Sequence, residues 1–323
     1  MKRILSILLC LPLLMACEHE IRYTGEYEQH KLVLEVPLEE GAMAIDGAVT
    51  RTSFFLDYPS RESDRWLTDV TMSVQRGDGE VTTYSDSTLH LYEEAFHIDL
   101  DEPLRVGERI RICASHPTYG SAEGEDVVVE TPQFTCESCE WDAALKQCVV
   151  RLRFSESLDP NGIIGISGVF NYLAEAEGNQ RVMTYRLVTS TDNCFAPLNN
   201  AFSVDAGFNS KYDLFCNAED VRGRVVELAM PAVMYVSAKP PYEVTAAEDI
   251  TLWVTNYSKD AYLYRCSLYA YFGIRGEDDT SIGAFFADLI GLEETVQIYS
   301  NVKGGLGIVE AYSTQIYQKD FNE

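Results

Sequence analysis

From Leu32 onward the chain alternates, about every ten residues, between short runs rich in β-branched residues and clusters of turn formers, a rhythm that confines the fold to antiparallel sheet. The runs are LVLEV (32 to 36), AMAIDGAVTRTSFFL (42 to 56), VTMSVQ (70 to 75), EVTTYS (80 to 85), FHIDL (96 to 100), RIRICAS (109 to 115) and EDVVVE (125 to 130). Between them stand Glu40-Gly41, Arg76-Gly77-Asp78-Gly79, Arg105-Val106-Gly107 and Tyr119-Gly120. Such spacing predicts an immunoglobulin-like or transthyretin-like β-sandwich over residues 31–132, with Thr131-Pro132 as its boundary.

The same pattern continues through CVVRLRFS (148 to 155), IIGISGVFNYLAE (163 to 175), QRVMTYRLVTS (180 to 190), GRVVELAMP (223 to 231) and ITLWVTNYS (250 to 258). Then the period changes. Ser258-Lys259-Asp260 has the chemistry of a helix cap, Ala261, Tyr262, Cys266 and Tyr269 recur at helical spacing, and Gly273 is positioned to stop the helix. Ile282 to Leu292 is expected to form a second short helix. Residues 133–323 therefore read as a second β-rich domain with one or two short helices, and the chain as mainly β. Near the end, VQIYSNVKGGLGIVEAYSTQIY (296 to 317) predicts two apolar strands flanking Asn301 to Gly307. Its glycines suit a tight connection or bulge with positive φ.

Upstream of the strands, residues 1–16 have the layout of a lipoprotein leader. Lys2 and Arg3 form a basic head, Ile4 to Leu14 an apolar core too short for a permanent span, and Leu14-Met15-Ala16-Cys17 reads as a lipobox. Cleavage would leave Cys17 as the acylated N-terminus, palmitate among its acyl chains, and residues 17–30 as a polar tether. The expected location is the outer membrane, held by lipid on its periplasmic or cell-surface face.

The composition excludes several functions. With 51 Asp and Glu against 25 Lys and Arg, a formal net charge of −26, the chain repels nucleic acid and lacks the basic stripe that phosphate contacts require. Loss of Lys2 and Arg3 with the leader makes the remainder more acidic still. With Cys10 removed and Cys17 acylated, the body keeps Cys113, Cys136, Cys139, Cys148, Cys194, Cys216 and Cys266, an odd number, so at least one stays unpaired. Cys136, Cys139 and Cys148 lie close enough for a local disulfide across a hairpin in an oxidising compartment. The Cys-x-x-Cys pair has no second pair at zinc-finger spacing, so no metal site is assigned.

No catalytic residue or cofactor is assigned either. His19, His30, His90, His97 and His116 all fall within the first 116 residues, and neither a Gly-x-Ser-x-Gly elbow nor a His-Glu-x-x-His helix occurs. Glu277-Asp278-Asp279 and Asp159-Pro160-Asn161 read as solvated turns rather than calcium loops. Asp86-Ser87-Thr88 fits a short O-glycosylation pattern, which makes Ser87 a candidate modification site.

The C-terminal run, together with KYDLFCNAEDVRGRVVEL (211 to 228) and SKDAYLYRCSL (258 to 268), resembles domain of unknown function family 4249 (DUF4249) of Bacteroidota lipoproteins. The family motif falls on Tyr299-Ser300-Asn301 and on Gly304 to Ile308, which marks Asn301, Gly304, Gly305 and Gly307 as structural positions. Val309-Glu310 departs from it, since an aromatic and small residues are usual there. The resemblance implies an outer-membrane lipoprotein, often encoded beside a TonB-dependent receptor, with no established activity. The expected function is thus a non-enzymatic binding or accessory subunit of a nutrient importer, taking an unidentified small-molecule or glycan ligand. The alternatives are a structural or adhesive lipoprotein of fimbrial type and, third, a carboxylate-based glycan-active enzyme.

Overall fold

The computed structural model describes residues 30–52, 67–85, 88–176, 178–195, 213–232, 243–275 and 298–322, with side chains in the helix described as far as 269. The expected helix at 282–292 lies outside the described residues, as do residues 1–29 and Ser87.

Residues 31–322 form one unit built on a long sheet. The first half supplies β1 (Leu32–Leu38), β2 (Ala44–Arg51), β3 (Thr71–Arg76), β4 (Val81–Tyr84), β5 (His90–Tyr92), β6 (Ala95–Asp99), β7 (Arg109–His116) and β8 (Gly120–Val127). After it come β9 (Phe134–Asp142), β10 (Gln147–Phe154), β11 (Ile163–Ala176), β12 (Asn179–Tyr185), β13 (Leu214–Asn217), the short helix α1 (Ala218–Val221) and β14 (Val225–Pro231). The chain closes with β15 (Glu243–Tyr257), helix α2 (Lys259–Arg275) and β16 (Leu306–Asp320).

The long sheet runs β12-β11-β15-β16-β1-β2-β6-β5, with β13 added against β11; β4-β3-β7-β8 and β14-β10-β9 are separate sheets. Alternation places the cores. In β1, Leu32, Leu34, Val36 and Leu38 are buried while Glu35 and Pro37 face out, and in β10 the buried set is Cys148, Val150, Leu152 and Phe154. One core joins residues of β1, β2 and β6 to those of β3, β7 and β8, and is mostly aliphatic apart from Phe96. The other joins β11 and β15 to β10 and β14 and holds Phe134, Phe154, Phe170, Tyr172 and Phe195. Val302, Val309 and Ala311, from the end of the chain, belong to the first core.

β16 connects the two sandwiches. Its residues 306–311 pair with β1 in parallel, and its residues 312–320 pair antiparallel with β15. Every other ladder is antiparallel.

Several local expectations need correction. The strand expected at 125–130 sits earlier, at Gly120–Val127, where it pairs with β7. The run at 180–190 ends as a strand at Tyr185, and Thr189 makes only an isolated bridge to Ala229. Helix α2 passes through Gly273 to Arg275, because one interior glycine costs only about 1 kcal/mol. Where the first of the two strands expected around Asn301 falls on described residues, 298–302, it joins no ladder.

Candidate functional site

Residues 306–311 of β16 create a local problem. One edge is paired with β1, but β15 reaches the other edge only from Tyr312 onward, so the amides of Val309 and Ala311 need other partners. Side chains supply most of them. Asn301 Oδ1 accepts from Val309 N at 3.0 Å and Nδ2 donates to Val309 O at 2.8 Å, the two bonds a neighbouring strand would make. Asp126 Oδ2 accepts from Ala311 N at 2.7 Å, while Ser258 N donates to Ala311 O at 2.9 Å. At Val309 one asparagine side chain therefore takes the place of a neighbouring strand.

The same atoms anchor the helix. Ser258 Oγ accepts from Ala261 N at 3.1 Å, which makes Ser258 the N-cap of α2, and donates to Asp126 Oδ2 at 2.5 Å. Asp260 in the first turn meets Asn301 Nδ2 at 3.1 Å and accepts from the Tyr299 hydroxyl at 2.7 Å. Asn301 Nδ2 also lies 3.2 Å from Glu125 O, so this side chain touches β8, α2 and β16 together. Burial pushes the Asp126 carboxyl up to about 6, even though Ser258 and the Ala311 and Val127 amides favour its charged form.

The connection into β16 requires glycine. Gly304 has φ +76 and a Cβ there would lie 2.5 Å from Ser121 O; Gly307 has φ +107 and its Cβ would collide with Leu34 O of the parallel partner strand. A Cβ on Gly305 would meet Leu32 O at 2.5 Å. The motif positions Asn301, Gly304, Gly305 and Gly307 thus come together as the device that brings β16 against β1.

Beside this device lies an ionic pair of buried Glu310 and half-buried Arg265. Glu310 stands 3.8 Å from Arg265 of α2, and burial raises its carboxyl to about 6 against the opposing pull of that guanidinium. Arg265 Nε and Glu310 Oε2 are both buried without a hydrogen-bond partner among the described residues. The Tyr269 hydroxyl donates to Asp213 at 2.5 Å, and burial holds the Asp213 carboxyl above its ordinary value. Around them Phe215 packs edge-on to Tyr257 and Tyr262, with Ala261 and Cys266 completing a small third core. The expected stripe Ala261, Tyr262, Cys266 and Tyr269 is thus the face of α2 that packs on the sheet.

Sequence reasoning missed Asp126, Asp213, Arg265 and Glu310. A signal existed for Glu310, the single acid in the apolar run GIVEAY and the point of departure from the family motif. The other three carry no local mark, because their partners lie far away in sequence. Cys139 and Cys148, on neighbouring strands, come within 3.6 Å of each other, with Cys136 on the same face. Cys17 and Ser87 fall outside the described residues. Among the described residues no group of three or more His, Cys, Asp or Glu side chains could hold a metal ion.

The profile of a domain of unknown function, DUF4249, matches residues 18–318. The chain belongs to the DUF4249 family. The DUF4249 span contains every element described above, from β1 to most of β16, and opens one residue after Cys17. No curated protein matches the chain. Among solved structures, a marsupial T cell receptor is similar at 8% identity, covering 70% of this chain and 81% of that one with a TM-score of 0.23.

Proposed function

We propose that this DUF4249 protein is a non-enzymatic lipoprotein, held to the outer membrane through Cys17, that serves as a binding or accessory subunit of a TonB-dependent importer. The observation that carries the reading is the position of the lipobox. Cys17 directly precedes the family-matched span, so cleavage there removes only sequence outside DUF4249 and leaves the domain on a short acylated tether. No helix among the described residues is long and apolar enough to cross a membrane, which is consistent with lipid as the attachment. Half-buried Asp126 and buried Ser258 hold backbone and helix together, which suits a rigid scaffold whose loops make contact with a ligand or receptor.

Purification of the tagged protein from its native membrane in mild detergent, followed by mass spectrometry, tests this reading. A near-stoichiometric TonB-dependent receptor is expected; recovery of the protein alone would count against the importer role. Cys17→Ala is expected to release a soluble or unprocessed precursor, and normal acylation and retention of that variant would refute the anchor.

A second reading, adhesion through strand edges, draws on β12. It ends the long sheet, residues 179–182 are exposed with Val182 58% accessible, and its outer edge carries no ladder among the described residues. Pilus-like subunits in the same purification would favour it.

A further inference from the structure

Four of the seven body cysteines lie in the second core, and they lie there in two pairs. Cys139 of β9 and Cys148 of β10 are diagonal neighbours on the inner face of one hairpin: Cys139 opposes Val150, Cys148 opposes Trp141, and the sulfurs are 3.6 Å apart. Cys194, in the single helical turn Asn193–Phe195, and Cys216 of β13 are both buried in this core, where the turn packs against the strand, and the Cys216 thiol donating to Cys194 lowers the pKa of Cys194 and raises its own.

A β-bulge explains why a third thiol is near the first pair. Arg151 opposes Ser138 while Leu152 opposes Cys136, so Glu137 is an extra residue in β9. Strict alternation would put positions 136 and 139 on opposite faces; the extra residue turns both inward. Cys136 is nevertheless engaged elsewhere, donating to Ser138 O at 3.3 Å. Cys113 lies in β7 of the other sandwich and Cys266 on α2.

We propose that the second core is cross-linked by two disulfides, Cys139 to Cys148 and Cys194 to Cys216, while Cys113, Cys136 and Cys266 remain thiols. This inference rests on export to an oxidising compartment, not on the importer association. The oxidant is the disulfide of a thiol–disulfide carrier. The Cys139 thiolate attacks one carrier sulfur and expels the other as a thiolate; Cys148 then attacks Cys139 sulfur and releases the carrier from the mixed disulfide. Both protein protons end on the carrier, which leaves as a dithiol, and the Cys194 and Cys216 pair is oxidised in the same way. Cys139 suits the role of first nucleophile, because the Cys148 thiol, Tyr317 and Lys319 favour its charged form.

The test is a peptide map of the full mature protein, purified from its native membrane without reductant and alkylated with N-ethylmaleimide in denaturant. Trypsin cuts after Lys146 and Lys211, which separates the members of each pair, and a glutamyl endopeptidase cuts after Glu130 and Glu137, which separates Cys113, Cys136 and Cys139 from one another. The expected result is one linked species joining the Cys139 and Cys148 peptides, a second joining those of Cys194 and Cys216, and full alkylation at Cys113, Cys136 and Cys266. Alkylation of either pair, or a linkage through Cys136, overturns the assignment. The map requires no variant, so a failure to fold cannot imitate either result, and loss of the receptor association would leave the linkages unchanged.

Discussion

Phe170 on β11 is 1% exposed and has ring centroids of Trp141 and Tyr172 at 5.7 and 5.4 Å, so its surroundings are apolar. Glu310, on β16 of the same sheet, is 8% exposed, yet it faces Arg265 and keeps one carboxylate oxygen unpartnered. The two sandwich interiors are filled by residues whose burial is favourable wherever it occurs. The polar region around Asn301 is partly buried, at a cost that only fixed partners offset. The comparison teaches that burial has two uses here: apolar packing stabilises each sandwich, while polar burial fixes how β8, α2 and β16 meet.

Gly307→Ala should act most strongly, because the new Cβ meets Leu34 O and forces β16 from its parallel partner at a φ that alanine tolerates poorly. A loss of more than about 4 kcal/mol in denaturant unfolding is expected. A near-neutral result would mean that the parallel pairing is dispensable. Phe170→Ala should cost about 4 kcal/mol through the cavity it leaves. Its effect should be independent of pH, as befits an apolar interior, and a marked pH dependence would break the contrast drawn above.

Asn301→Ala removes both bonds to Val309 and the link to Asp260, leaving a backbone amide and carbonyl without partners. A cost of about 3 kcal/mol is expected, together with faster amide exchange at Val309. If exchange at Val309 stays slow, the asparagine is not the substitute strand described here.

The pH response separates the regions further. The Glu310 carboxyl lies at about 6 in the folded chain against an ordinary 4.5, so between these values the folded protein holds more protons than the unfolded one. Its contribution to stability is therefore fully present below 4.5 and is lost as pH rises through about 6. Glu310→Gln should flatten the stability profile across that window by about 2 kcal/mol. Retention of the full slope would assign it to Asp126 or another group. The smallest effect is expected at the exposed pair between Arg153 and Glu137, 2.5 Å apart across β9 and β10. Arg153→Ala should change stability by less than about 0.5 kcal/mol, and that change should vanish in high salt.

Much of this contrast was legible before the fold was known. The inward residues of β1 and β10, the turn glycines, the Ser258 cap and the buried stripe of α2 all follow from local periodicity, because each depends on residues one to four positions away. β5, of three residues, was missed, as were β9 and β13. In β9 the bulge at Glu137 breaks the alternation, and β13, of only four residues, is too short to establish one.

The sequence by itself determined the class of fold, the family motif and the need for glycine before β16. Tertiary structure alone decided that β16 bridges two sandwiches, that Asn301 and Asp126 complete its unpaired edge, and that Arg265 meets Glu310. The physical reason is separation along the chain. Asp126 and Ala311 are 185 positions apart, so neither carries a local sign of the other, and a hydrogen bond between them exists only after two sheets have closed.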